Sequence, residues 1–209
     1  MFKNCDYTIE IDLSKFDFSK VKTMNSMFDG CTSLDKINFG NINTSSVKNM
    51  DCLFQDCTNL KSVDVSKFDT SKVESMSRMF GYCSSLTSID CSNFNTSKVK
   101  NMFDMFGYCD NLITVNVSSF VTSQCENFHG MFYWGSKLKY LDLSNFDFSS
   151  VIEDNNVALM FTCCTELVYL NLCSCNISRD MNIDPYLKYY IKGSEGLNIA
   201  NCENICNDK

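Results

Sequence analysis

The sequence predicts an α/β solenoid of period 26, with parallel strands along one face, short helices along the other and a right-handed winding. Three observations carry that expectation. From Ile11 to Leu141 the chain repeats every 26 residues without a gap, in rows that start at Ile11, Ile37, Val63, Ile89, Val115 and Leu141. A period in this range is the mark of units that cannot bury their apolar face alone and must stack on their neighbours. Each row pairs a short alternating apolar stretch with a second stretch at helical spacing, and a strand returning through a helix to a parallel strand crosses right-handed. Only eight Gly and one Pro are present, so no linker divides the chain and residues 1–209 read as one solenoid domain.

One row justifies the elements. In the stretch from Leu60 to Leu86, Val63 and Val65 alternate with Ser62, Asp64 and Ser66, which predicts a short strand with one buried face. Asp69, Thr70 and Ser71 offer helix N-cap chemistry, and Val73, Met76, Met79 and Phe80 then follow at helical spacing. Gly81 is placed to end that helix, and Tyr82 to Ser85 turn the chain back. By this reading strands are centred on residues 12, 38, 64, 90, 116, 142 and 171. Residues 1–10 form a partial repeat, 11–169 six repeats and 170–209 degenerate C-terminal rungs.

The ends differ from the middle. Met1, Phe2 and Cys5 share columns with Met27, Phe28 and Cys31, so the chain opens within a repeat, and a longer array with further repeats upstream is the expectation. The row from Leu141 gains three residues around Ile152 to Leu159, which moves its Met-Phe pair to Met160 and Phe161. Beyond Cys175 the motif fades, yet Asp184 and Pro185 suit a helix start running from Tyr186 to Lys192 before Gly193. Leu197, Ile199 and Cys202 repeat the spacing of Leu170, Leu172 and Cys175, which predicts one further strand.

Strand, turn, helix and turn in 26 residues make a leucine-rich-repeat-like unit. Where a conventional repeat carries Asn to bind the turn backbone, this chain has Phe16, Ile42, Phe68, Phe94, Phe120 and Phe146, an apolar spine in place of an amide ladder. The segment FDTSKVESMSRMFGYCSSLTSID and its counterparts, from Met1 to about Cys175, resemble the 26-residue-repeat bacterial surface proteins, the BspA-like leucine-rich-repeat family also found in mycoplasma-type lipoproteins. The resemblance implies a surface-exposed or secreted protein that binds host or matrix components, and it implies no catalytic residues.

Composition excludes several classes. Net charge is −7, and the 18 basic residues are scattered instead of forming a phosphate-tracking stripe, which argues against nucleic acid as a partner. No apolar run approaches the length of a membrane span, so no direct membrane insertion is expected, and no signal-peptide pattern opens the sequence. On the residues alone a cytoplasmic location stays open beside the surface location that the resemblance implies. No cofactor motif is present.

Fourteen cysteines require an account. Cys5, Cys31, Cys57, Cys83, Cys109 and Cys164 form one column, while Cys91, Cys125 and Cys175 replace apolar residues in others. In-register side chains on parallel rungs have parallel Cβ vectors, poor geometry for a disulfide, so a ladder of buried free thiols is expected. Replacing Cys83 by Ser would then bury a hydroxyl without an assured partner at a cost of about 1–3 kcal/mol, with Ala cheaper. Cys163, Cys164, Cys173, Cys175, Cys202 and Cys206 gather toward the C-terminus, but without a CxxC pair they speak only weakly for zinc or a disulfide.

Catalysis has little support: the single His, His129, falls in the column of Ser77 on the exposed side, and no nucleophile, phosphate-loop or metal motif occurs. Asp12, Asp64, Asp90 and Asp142, with Asn38, Asn116 and Asn171, form a polar ladder on the open strand face, which suits a solvated surface, a cation or a basic ligand. Aromatic departures from the repeat say more. The column Glu10, Lys36, Ser62, Ser88, Thr114 ends in Tyr140 and Tyr169, and a return-turn column runs Tyr82, Tyr108, Trp134. Exposed Tyr and Trp clusters favour interfaces. The candidate ligand-binding residues are therefore Tyr140 and Tyr169, flanked by Asn116, Asp142 and Asn171, with Trp134 at the rim. The expected partner is a protein or glycan; a structural spacer or an intracellular scaffold are the alternatives.

Overall fold

The computed structural model describes residues 1–172, 175–176 and 198–200. Seven three-residue strands run parallel: β1 (Glu10–Asp12), β2 (Lys36–Asn38), β3 (Ser88–Asp90), β4 (Thr114–Asn116), β5 (Tyr140–Asp142), β6 (Tyr169–Asn171) and β7 (Asn198–Ala200). β1 pairs with β2, and β3 to β7 form a second sheet in sequence order. Registers follow the repeat, with Ile11 beside Ile37, Ile89 beside Val115 and Leu141 beside Leu170. A second ladder of parallel bridges joins Thr23, Asn49, Ser75, Asn101 and Asn127 on the far side of each rung.

Two expectations about strands are corrected. No strand forms at residues 62–64. The break coincides with Phe39, which fills the column held by Leu13, Val65 and Cys91 elsewhere and packs its ring edge-on against Phe68 at 5.0 Å. β7 pairs Ile199 with Leu170, two positions away from the expected alignment of Leu197 with Leu170. The expected helix from Asp184 to Lys192, together with Leu197 and Cys202, lies outside the described residues.

The larger correction concerns the helices: among the described residues the only helical element is one 3-10 turn, Asp154–Asn156, inside the three-residue insertion. Where Val73, Met76, Met79 and Phe80 suggested a helix, the backbone is a chain of β-turns. The N–H of Val73 bonds to the carbonyl of Thr70, Met79 to Met76, Cys83 to Phe80 and Leu86 to Cys83. The intervening N–H groups point to the next rung, Met76 to Asn101, Arg78 to Phe103, Phe80 to Met105 and Tyr82 to Gly107, at 2.7–3.0 Å. A helix needs a run of right-handed residues and bonds four residues back, whereas Arg78 and Tyr82 take left-handed φ of 53° and 62°. Gly81 is therefore not the reversal residue; Tyr82 is.

Thr70 is likewise no helix cap. Its Oγ1 donates to the carbonyl of Asn95 at 3.0 Å and accepts that residue's N–H at 2.8 Å. Thr44, Thr96 and Thr122 bind Asp69, Val121 and Asp147 in the same reciprocal way. All four threonines are buried, and Phe18 and Phe148 close the column at its two ends. Asp69 supplies a local turn contact instead, accepting the N–H of Ser71 at 3.0 Å.

Apolar columns fill the space between the ladders. Phe2, Phe28, Phe54, Phe80, Phe106, Phe132 and Phe161 stack ring on ring at 5.4–6.1 Å. The spine of Ile42, Phe68, Phe94, Phe120 and Phe146 is buried, while Phe16 remains half exposed. Beside them Cys31, Cys57, Cys83 and Cys109 are fully covered free thiols. Each thiol donates to a phenylalanine carbonyl of the preceding rung, Cys83 to Phe54 at 3.1 Å and Cys109 to Phe80 at 3.1 Å. Cys83 thus has a built-in acceptor that the column pattern does not disclose.

Candidate functional site

The open strand face carries the residues that break the repeat. β5 presents Tyr140 outward, 58% exposed, because the alternation of Tyr140, Leu141 and Asp142 buries only Leu141. Tyr169 in β6 is its register neighbour and is partly covered. Asp142 pairs with Asn171 in the same register, and Asn116 occupies the matching position of β4. The structure thus brings Tyr140, Tyr169, Asp142 and Asn171 together on adjacent rungs. Trp134 is set apart from them: its ring contacts are to Tyr108 at 6.3 Å and Tyr133 at 6.4 Å, on the return turn.

The polar ladder has a structural task of its own. Asp12, Asp64, Asp90 and Asp142 each accept, two residues on, the N–H of Ser14, Ser66, Ser92 and Ser144 at 2.9 Å, closing the turn that ends the strand stretch. Asn38 and Asn116 do the same for Gly40 and Ser118. Hydrogen bonds from Ser66 hold the Asp64 carboxyl below its usual range. Burial pushes Asp142 up, but bonds from Ser144 and Asn171 outweigh it and the carboxyl is lowered too. The face therefore presents ionised carboxylates with one oxygen engaged by the turn.

Two flanking residues escaped the sequence reading. Ile113 and Val168, 40% and 39% exposed, precede the open-face column by one position and border the tyrosines. A signal was present, because that column reads Ile9, Asp35, Lys61, Thr87, Ile113, Lys139 and Val168, polar in the early full rows and apolar at Ile113 and Val168 as it is at Ile9. Lys139 lies between them and approaches Glu166 at 3.9 Å.

A second aromatic group lies on the return turn. Tyr82 and Tyr108 stack at 4.3 Å with their planes 11° apart, and Tyr133 stands edge-on to Tyr108 at 5.0 Å. Tyr82, Tyr108 and Trp134 all adopt left-handed φ, which gives successive rungs one shared side-chain direction. Burial, followed by the neighbouring phenols of Tyr82 and Tyr133, pushes the Tyr108 phenol up to about 12.

Other candidate chemistry resolves into structure. His129 is not simply solvated: it stacks on Phe103 at 5.4 Å, and its Nδ1 lies 2.7 Å from the carbonyl of Asn155 in the insertion, so the proton sits on Nδ1. Arg78 covers the other part of this stack, 4.8 Å above the Phe103 ring, with its Nε 3.3 Å from Asp104. Burial raises the Asp104 carboxyl despite that partner. The thiols are unsuited to nucleophilic work, since burial pushes Cys109, Cys125 and Cys164 up to about 12. Among the described residues no group of three or more His, Cys, Asp or Glu is placed to hold a metal ion. Of the C-terminal cysteines, Cys163 and Cys164 are free thiols, the Cys175 thiol donates to the carbonyl of Leu143 at 2.9 Å, and Cys173, Cys202 and Cys206 lie outside the described residues. No helix of the described residues is long and apolar enough to cross a membrane.

The repeat, its parallel rungs and its Phe, Thr and Cys columns define a tandem-repeat protein. The chain belongs to the family described as "Mycoplasma protein of unknown function, DUF285", which matches residues 1–113 and 86–188. No curated protein matches it. Among solved structures it is similar to a leucine-rich-repeat protein of T. pallidum, 19% identical over 66% of this chain and 68% of that one, with a TM-score of 0.41. It is also similar to the pneumococcal vaccine antigen PcpA, 15% identical over 91% of this chain and 70% of that one, with a TM-score of 0.31.

Proposed function

We propose that the chain is a non-enzymatic binding module, a right-handed leucine-rich-repeat-like solenoid of the BspA type that presents its open strand face to a protein or glycan at a cell surface. One observation carries the reading: a column that is charged or small in five rows turns to tyrosine in the next two, with Tyr140 58% exposed. Packing does not demand a large ring where solvent covers most of it, and Tyr supplies contact area with a polar handle. Ile113 and Val168 widen the apolar part of this patch, and the Asp142 and Asn171 side chains supply its polar rim. A spacer would gain nothing from varying one face in this way.

The test is to display the protein against immobilised glycan and extracellular-protein arrays and to compare it with the Tyr140→Ser, Tyr169→Ser double variant. The variant is expected to lose the binding signal while its stability stays within about 1 kcal/mol, as for surface sites. A loss of several kcal/mol would make the rings core covering, and retention of every binding signal would remove the site.

A further inference from the structure

From the geometry of the return turn we infer that Tyr82 and Tyr108 form an oxidative modification site, at which a peroxidase-class oxidant joins the two phenols into an intramolecular dityrosine that staples adjacent rungs. The two rings overlap at 4.3 Å with nearly parallel planes, so like positions of the two phenols lie against each other. Their side chains leave the backbone from equivalent left-handed residues, φ 62° and 59°, one row apart. The N–H of Tyr82 bonds to the carbonyl of Gly107 at 2.8 Å, which holds the two rungs in this register. Both rings are half-buried, and the cluster reaches solvent through Trp134, 44% exposed and stacked on Tyr108.

The reaction balances. Each phenol surrenders one electron and its O–H proton, giving two phenoxyl radicals with spin on the carbons ortho to oxygen. One C–C bond forms between an ortho carbon of each ring, and each ring regains aromaticity as its ortho hydrogen passes to oxygen. Two hydrogen atoms leave the protein in all, and one hydrogen peroxide is reduced to two waters. A radical first formed at Trp134 or Tyr133 reaches the same end, because neighbouring rings in contact exchange an electron and the coupling step alone is irreversible. Tyr133 is poorly placed as the coupling partner, since it stands at 88° to Tyr108 and farther away, at 5.0 Å.

The experiment treats the dilute full chain with a haem peroxidase and hydrogen peroxide and maps the products by peptide mass spectrometry. The expected product is a monomer with dityrosine fluorescence and a cross-linked pair of peptides, one carrying Tyr82 and one Tyr108, lighter by two hydrogens. Tyr82→Phe and Tyr108→Phe keep the stacked rings and should abolish that product, whereas Tyr133→Phe should retain it. Tyr140 and Tyr169, also register neighbours, provide an internal comparison. Cross-linking chiefly there, through Tyr133, only between molecules, or nowhere would overturn the proposal.

Discussion

Among the described residues, eleven other than glycine hold a positive φ, and all fall in two columns of the repeat. One contains Asn4, Asp56, Tyr82, Tyr108, Trp134 and Cys163; the other contains Ser26, Cys52, Arg78, Asp104 and Leu159. Gly30 and Gly130 complete them. A left-handed residue with a side chain costs about 1–2 kcal/mol, and all of these but Leu159 and Cys163 are held by an N–H bond to the next rung, as Cys52 is to Ser77 and Tyr108 to Tyr133. Tyr, Trp, Arg and Leu are not residues from which a left-handed turn is read, so this feature was invisible in the sequence. The cysteine column was legible as packing, but its carbonyl partner was not, and that reverses an expected order. With Phe54 O already in place for a donor, Cys83→Ser should cost about 1 kcal/mol, and Cys83→Ala, which loses the sulfur's packing as well, about 2 kcal/mol. Urea unfolding of the two variants ranks them, and a cheaper Ala would restore the view of an unpartnered hydroxyl.

At the scale of the element, strands and helices were unequally legible. A two-residue alternation such as that of Tyr140, Leu141 and Asp142 has one structural meaning, and strands are present at six of the seven centres expected up to residue 171, each one residue earlier than expected, with β7 as the further strand. Apolar residues three and four apart have two meanings, helix or successive β-turns, because both return the chain to the same side after about three residues. Stacking decides between them. A helix of two turns is costly to nucleate, whereas turns leave alternate N–H groups free for the neighbouring rung. The threonine ladder shows how closely this wiring is drawn. Thr70→Val keeps the shape but strands both the N–H and the carbonyl of Asn95, for an expected loss of about 2–4 kcal/mol. Thr70→Ser, which retains the hydroxyl, should lose less than half as much in the same denaturation experiment.

For the whole molecule the repeat fixed the period, the parallel register and the identity of the core columns, since every row obeys the same spatial constraint. The aromatic patch was legible for the complementary reason, as a departure that the constraint does not explain. Its apolar flank of Ile113 and Val168 was overlooked because a strand column was read without the turn before it. The replacement of helices by turns has a direct spectroscopic expression. Far-ultraviolet circular dichroism of the chain should be dominated by strand and turn, and a double minimum of the strength that a helix in every row would give would contradict the turn chain over residues 76–83.

From Met50 to Asp56 and in its counterparts the turn chains also send their rung-to-rung bonds in one direction, against a single reverse bond per row from Lys48, Glu74 and Lys100 just before them. At each junction the donors are Met50, Cys52, Phe54 and Asp56, then Met76, Arg78, Phe80 and Tyr82, then Met102, Asp104, Phe106 and Tyr108, and every one gives its hydrogen to the row that follows in sequence. Peptide dipoles aligned head to tail add, as they do along a helix axis, so this side of the stack is electrically polarised along its length, negative toward the earlier rows and positive toward the later ones. Two such stacks meeting end to end attract when they point the same way and repel when they oppose, which gives the repeat a sense of direction that its side chains do not encode.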